Sequence, residues 1–323
     1  MAVIQYRRAT NEDAALASDL MNAAYPEVMR DPVMTRFRWE HPRKGYEAGR
    51  FIAERAGEPI AFLSWLHGPW ARLPERHCEV EVSLDRAQLE LGLLVELWKW
   101  IEGEAVAQGS ALLLAYCAED EPEMLEALAA LGYRRERAEK VWELDLKVHG
   151  PRLVSEAKEA LGVMDESGIR MLTVAEWSDG DKFRKLYELN ERTVQDVPHT
   201  LPILTETFED FERRMHAPDR SDDRWWIAVD GDRPVAMTYL KFPPVRGMVW
   251  TGFTCSAREY RGRGIARAVK LQSLAQAIEL GVPKVETDND AENAAMLHIN
   301  EKLGYVRRPG WVEHHKRVET QRA

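Results

Sequence analysis

The segment Tyr260-Arg261-Gly262-Arg263-Gly264-Ile265-Ala266 decides the fold, because it sets a two-glycine turn between a strand and a helix. Upstream, Trp250 to Cys255 reads as a strand with aromatic and Thr residues. Downstream, Ile265, Ala268, Leu271, Ala275 and Ile278 recur at steps of three or four, the period of an amphipathic helix, which Gly281 ends with Pro283 just beyond. Glycines here let the backbone approach an anion, and the unpaired N–H groups and dipole of the helix start favour negative charge. Tight packing is the alternative use of the same glycines, and Arg261 and Arg263 weigh against it. No Lys-Ser/Thr follows the glycines and their spacing misses GxGxxG, so nucleotide-hydrolase and dehydrogenase readings lose support.

A second element follows about thirty residues on. Val285-Glu286-Thr287-Asp288-Asn289 predicts a short strand leading into a helix over 290–304. Asp290 is placed to cap that helix, Met296, Ile299 and Leu303 give it a core stripe, and Gly304 stops it. Asn293 and Asn300 are two turns apart on one face, which is either plain solvated surface or a pair of amides for an amide-rich ligand such as pantetheine.

The chain contains this pattern twice. Arg50-Phe51-Ile52-Ala53 through Pro59-Ile60-Ala61 reappears as Trp225-Trp226-Ile227-Ala228 through Pro234-Val235-Ala236, and each copy predicts a β-hairpin. Leu131-Gly132-Tyr133 matches Leu303-Gly304-Tyr305 and Gly109 matches Gly281, both at an offset of 172 (304 − 132, 281 − 109). A boundary between Val148 and Gly168 is expected, with 153–164 helical as a connector or as the last helix of the first half.

The motifs resemble those of the GNAT superfamily of N-acetyltransferases, whose acetyl-coenzyme A signature has the form Arg/Gln-x-x-Gly-x-Gly/Ala. It stands here as Arg261-Gly262-Arg263-Gly264-Ile265-Ala266, and Thr287-Asp288-Asn289, Asn293, Met296, Asn300 and Leu303-Gly304-Tyr305 are similar to the family's fifth strand and fourth helix. The resemblance covers roughly 166 to 320 well and the first half only as a faint copy. It implies an α/β (α+β) chain of two tandem GNAT-like domains, each a mixed, mostly antiparallel sheet flanked by helices. The expected ranges are a degenerate domain over 1–150, a connector over 151–167 and a catalytic domain over 168–323.

The cofactor set implied by this likeness is Thr254, Ser256, Arg261, Gly262, Arg263, Gly264, Ile265, Ala266, Asn289 and Asn293. Backbone groups of Thr254 and Ser256 would line the acetyl and pantetheine arm, the N–H groups from Gly262 to Ala266 would hold the pyrophosphate, and Asn293 would reach the pantetheine from the far side. An acceptor amine would attack the thioester directly, with the Thr254 N–H as oxyanion donor.

Two departures touch catalysis. The position that carries a Tyr general acid in many relatives is Asn300, which is kept in the catalytic set although an amide cannot protonate a thiolate in the same way. Many relatives also carry a Glu base on the fourth strand, whereas Met248 to Cys255 has no Asp, Glu or His. Asp196 is the preferred base, since Asp-Val-Pro-His lies where this fold builds its acceptor pocket, with Glu206 and Glu286 behind it. His199 and His298 are weighed as surface or structural histidines, and Tyr305 as core packing.

The offset of 172 gives an internal control. Arg261, Gly262, Arg263, Gly264 and Ala266 fall on Leu89, Glu90, Leu91, Gly92 and Leu94, and Asn289, Asn293 and Asn300 fall on Cys117, Glu121 and Leu128. Carbon and a carboxylate oppose an anionic ligand, so the first half is expected to keep the fold without the cofactor. Its expected roles are to bury a flank of the catalytic half, to complete the acceptor pocket or to form a homodimer face.

Length and charge fit this picture. At 323 residues with 45% hydrophobic content the chain can fill two cores. Its 44 Lys+Arg against 54 Asp+Glu leave a net charge of −10, which argues against nucleic acid as a partner. The start MAVIQYRRATNEDAA lacks a signal-peptide core, and no apolar run approaches the ~20 residues of a membrane span, so a cytoplasmic protein with no membrane partner is expected. Cys78, Cys117 and Cys255 are distant and odd in number, which predicts buried thiols and no metal site. The basic tail 307–323 reads as a last strand and a solvated end. The expected function is acetyl-CoA-dependent N-acetylation of a primary amine, in a small molecule, within a ternary complex. The alternative is a catalytically silent CoA-binding sensor or interaction module. Asp196, Glu206 and Glu209 tilt the expected acceptor towards a cationic amine.

Overall fold

Both hairpins, the glycine turn and the two Leu-Gly-Tyr endings take regular places in a computed structural model that describes residues 3–201 and 203–318. The chain runs β1 (Ile4–Arg8), α1 (Ala14–Ala24), α2 (Pro32–Glu40), β2 (Glu47–Arg55), β3 (Glu58–His67), β4 (His77–Leu84), α3 (Leu91–Ala107), β5 (Leu112–Ala118), α4 (Pro122–Ala130), β6 (Arg134–Asp145) and α5 (Leu146–Glu166). The series then repeats as β7 (Ile169–Thr173), α6 (Lys182–Val194), α7 (Phe208–Met215), β8 (Trp225–Asp230), β9 (Arg233–Lys241), β10 (Val249–Ser256), α8 (Ile265–Glu279), β11 (Lys284–Asp290), α9 (Ala294–Leu303) and β12 (Val306–Arg317). β10, β11 and β12 each begin 172 residues after β4, β5 and β6 (249 − 77, 284 − 112, 306 − 134). The offset found in sequence therefore holds along this whole stretch.

The chain forms two compact units, and their boundary is not one cut in the sequence. One unit gathers the chain up to Glu139, the stretch Pro244–Gly247 and the chain from Pro309 on, and the other holds Lys140–Pro243 and Met248–Arg308. This corrects the expected ranges of 1–150, 151–167 and 168–323. Residues 151–167 are no linker: Leu153 and Ala157 of α5 are core residues of the second unit, packed with Leu271 and Leu274 of α8. The last strand of each series is also displaced. β12 pairs antiparallel with β5 from Trp311↔Ala118 to Arg317↔Leu112, so the first unit's strand order is β1-β2-β3-β4-β5-β12. In the second unit the order is β7-β8-β9-β10-β11-β6. Of the tail, 319–323 lies outside the described residues.

In each unit the central strand pair is parallel (β4 with β5, β10 with β11), and the hairpin strands are antiparallel. Helices cover both faces, as a sheet with two apolar faces requires. In the first unit Leu94, Leu97, Trp98 and Ile101 of α3 pack on Val80, Val82, Leu113 and Ala115, while Ala17 and Leu20 of α1 meet Ile52 and Phe62. In the second, Leu186, Leu189 and Phe211 of α6 and α7 pack on Trp225, Ile227 and Met237. The other face takes Ile265, Ala268 and Val269 of α8 against Ala228, Val235 and Ala236. All three cysteines are buried as free thiols, as their spacing suggested.

Candidate functional site

β10 is held on one edge by β9 along most of its length, but β11 holds the other edge only at Val249↔Val285 and Trp250↔Glu286. Beyond Trp250 the two parallel strands part. Backbone groups of 251–256 on that edge therefore lose their strand partner, and buried backbone groups need one. At the parting point β10 carries a bulge between Thr251 and Phe253. The extra residue is Gly252, and a Cβ there would lie 2.0 Å from Cε2 of Tyr239. Glycine is required for the ring to lie against the bulged backbone.

The wedge leads into the glycine turn. Gly262 and Gly264 have φ of 75° and 78°, the left-handed region, and a Cβ on either would meet nothing within 4 Å. Gly264 is the N-cap of the 15-residue α8 and supplies no side-chain cap, so the first helical N–H groups are left for a ligand. Gly262, Arg263 and Gly264 are exposed. Arg263 lies with its guanidinium 5.3 Å from the Tyr260 ring. These residues fit a pyrophosphate by φ, by open space and by uncapped donors.

Asp196 is not placed as a base. Arg258 Nε donates to both of its carboxylate oxygens at 2.9 Å, Arg258 Nη2 donates as well, and Arg261 Nη2 donates to Oδ2 at 2.5 Å. The Arg258 hydrogen bonds lead in holding this carboxyl down at about 2, with Arg261 adding to them and partial burial opposing. A carboxylate so acidic takes up protons poorly at neutral pH. The structure instead shows it anchoring the glycine turn, where Arg261 Nε also reaches the Ser256 carbonyl at 3.3 Å. Glu206 is likewise engaged, with Arg214 Nη2 donating to it at 2.5 Å. Of the three carboxylates that tilt the expected acceptor towards a cationic amine, Asp196 and Glu206 are thus paired with guanidiniums. His199 and His298 are exposed, and Tyr305 is buried in the core.

The asparagines also divide. Asn293 is the N-cap of α9, its side-chain oxygen accepting from the Met296 N–H at 3.3 Å, a role expected of Asp290. Asp290 instead accepts from the Glu292 N–H at 2.7 Å and shapes the turn before the helix. Asn300 is fully buried, so the expected shared face with Asn293 and the catalytic placing of Asn300 both give way. Its Oδ1 accepts from Lys270 Nζ at 2.7 Å and its Nδ2 donates to Asn289 Oδ1 at 2.5 Å. Lys270, also fully buried, lies 4.7 Å from the Tyr305 ring centroid. Sequence reading missed Lys270 because period alone does not separate one helix face from its neighbour. The copy held the signal, since Lys270 falls on Trp98, a core side chain, at the same offset (270 − 172). Thr254 stands on the parted stretch of β10, its hydroxyl 2.8 Å from that of Thr238.

The first unit holds the same two strands together for longer before they part beyond Val80. β4 and β5 stay paired over four positions, from His77↔Leu112 to Val80↔Ala115, and β3 with β4 has no bulge. Gly92 is inside α3, whose N-cap is Glu90. Among the described residues no helix is long and apolar enough to cross a membrane, and no group of three or more His, Cys, Asp or Glu could hold a metal ion.

Comparison with known proteins agrees with this geometry. The family model described as "Acetyltransferase (GNAT) family" matches residues 183–305. A curated relative, N-alpha-acetyltransferase 30 of Schizosaccharomyces pombe, is 28% identical over 85 residues, which are 25% of this chain and 57% of that protein. This chain thus spans little more than half of that relative's length. Among solved structures, a tandem GNAT protein from the clavulanic acid biosynthesis pathway has a TM-score of 0.75 at 17% identity, covering 98% of both chains. A GCN5-related N-acetyltransferase from Sphaerobacter thermophilus has a TM-score of 0.68 at 20% identity, over 97% of this chain and 95% of that one. Likeness at such identities speaks for the fold, and the fold matched is the whole tandem. Residues 183–305 thus match the GNAT acetyltransferase family model, and the chain as a whole shares the fold of tandem GNAT proteins.

Proposed function

We propose that the second unit binds acetyl-CoA and transfers its acetyl group to a primary amine, in a small molecule, within a ternary complex. One observation carries this reading: strands parted beyond Trp250 run into a left-handed glycine turn and an uncapped helix start, all in one unit. The N–H groups from Gly262 to Ala266 would hold the pyrophosphate, with Arg263 beside them. The freed edge of β10, with Thr254 and Ser256, would take the pantetheine arm, and Asn289 and Asn293 would face it from β11 and the start of α9. The amine nitrogen would attack the thioester carbon, forming the C–N bond and a tetrahedral oxyanion met by the Thr254 N–H; its collapse breaks the C–S bond, the nitrogen gives a proton to solvent, and the thiolate leaves as CoA and takes one up.

The test is titration calorimetry with acetyl-CoA on the native chain and on Gly264→Glu, joined to a free-thiol assay over an amine panel. The variant should lose binding while keeping its circular dichroism spectrum. Unchanged affinity would show that the turn is not the seat.

A second reading, a CoA-binding sensor without chemistry, is favoured by the engagement of Asp196 by two guanidiniums and by the burial of Asn300. It predicts tight cofactor binding with no acceptor-dependent thiol release.

A further inference from the structure

Lys270 is fully buried and has no carboxylate partner among the described residues, its ammonium meeting the amide oxygen of Asn300 and the Tyr305 ring. Burying a cation in this way is costly unless it is fully paired. The fold does not demand it. At the same offset Lys270, Asn300 and Asn289 fall on Trp98, Leu128 and Cys117, which are 1%, 0% and 0% exposed in the first unit. One set of positions is thus packed with apolar side chains in the first unit and with a polar chain in the second.

The polarity of that chain follows from chemistry. An ammonium has three donors and no acceptor, so Asn300 must turn Oδ1 towards it. Its Nδ2 then faces Asn289 and donates to Oδ1. Asn289 is left with Nδ2, which has no partner among the described residues, on a half-buried residue of β11 beyond the point where β10 has parted.

We infer that Lys270 is a positioning residue: acting through Asn300, it fixes the Asn289 amide with its NH2 outward, as a donor to a carbonyl oxygen of the bound acyl carrier. This rests on the acetyl-CoA reading above, and it assigns Asn289 a polarity and Lys270 a role. Among the described residues Asp288 of β11 is the one charge that acts on Lys270, and no charged group of α5, α9 or β10 does so. Burial outweighs Asp288 and takes the ammonium down to about 7. Below that pH the amine only donates and the chain has one direction. Above it, the neutral amine can also accept, both amides can reverse, and the outward donor is lost for part of the time.

The test compares the native chain with Lys270→Met and Asn300→Leu, the latter restoring the first unit's residue. Lys270→Met should fold with unchanged or higher thermal stability and bind acetyl-CoA about tenfold more weakly, the scale of one preorganised hydrogen bond. In the native chain the dissociation constant should rise about threefold from pH 6 to pH 8.5 relative to Lys270→Met, a dependence that mere packing would not give. A folded Lys270→Met with native affinity and the native pH profile would overturn the inference. If the native chain fails to bind acetyl-CoA, the acetyl-CoA reading itself falls, and the inference is then judged in the free protein. There, side-chain amide NMR should show slowly exchanging Asn NH2 signals that titrate near pH 7 and change in Lys270→Met. Their absence would overturn the relay on its own.

Discussion

Asp196 and Lys270 show how little a residue's name says about its chemistry until its neighbours are known. Asp196 looks like a base in the sequence, yet two guanidiniums keep it ionised down to about pH 2. Its replacement by Asn should therefore leave kcat within a few-fold and the acid limb of the pH–rate profile in place, while raising KM for acetyl-CoA as the glycine turn loosens. Loss of that limb, with kcat down by the ~100-fold or more typical of a lost general base, would restore Asp196 as the base. Lys270 carries the opposite perturbation, with a folded value near 7 against an unfolded value of about 10.4. Between those values the unfolded chain holds a proton that the folded chain has released, so this group's contribution to stability rises with pH across that window and is lowest below it. Urea midpoints at pH 7 and pH 9.5 should accordingly rise more in the native chain than in Lys270→Met, and equal slopes would deny the buried ammonium.

At the level of elements, the bulge at Gly252 and the early parting of β10 from β11 make the site. Gly252→Ala would force a methyl group into the Tyr239 ring, and overpacking of this kind costs about 1–3 kcal/mol, read from denaturant midpoints. Tyr239→Leu in the same chain should recover part of the loss by removing the ring, and no recovery would place the strain elsewhere. The glycine turn, both hairpins and the helix over 294–303 were legible in sequence, because turn chemistry and apolar period are local. The bulge was not, since a glycine in a strand is ambiguous until the facing ring is known. Neither was the four-against-two pairing of the parallel strands, which depends on contacts across the sheet. Asn293 and Asp290 exchanged their expected roles because a cap is decided by where the first helical turn begins, and sequence fixes that only to within a few residues.

For the whole molecule, the internal repeat announced two folds but concealed their exchange of last strands. Period and offset are blind to which sheet a terminal strand joins, so a cut at 150/151 looked natural. In fact a fragment of 1–150 lacks the strand that pairs with β5, and 151–323 lacks the part of β6 from Lys140 on. Each fragment alone should give a poorly dispersed amide spectrum, and the two expressed together should recover the native one. A well-dispersed spectrum from either fragment alone would contradict the exchange. The first unit has no bulge in β4 and has Glu90 as the N-cap of α3 in place of the glycine turn, which predicts one acetyl-CoA per chain by calorimetry, and a stoichiometry of two would refute it. The exchange also has a consequence for biosynthesis. β5 is Leu-Leu-Leu-Ala-Tyr-Cys-Ala, without charge or proline, and its edge waits for 311–317. From Glu139 to Arg317 the ribosome adds roughly 180 residues, which takes about 9–36 s at ~5–20 residues per second. For that interval an apolar strand edge stands unpaired on the nascent chain, the kind of template on which neighbouring chains on a polysome aggregate, so the yield of folded protein should depend on chaperone supply during translation.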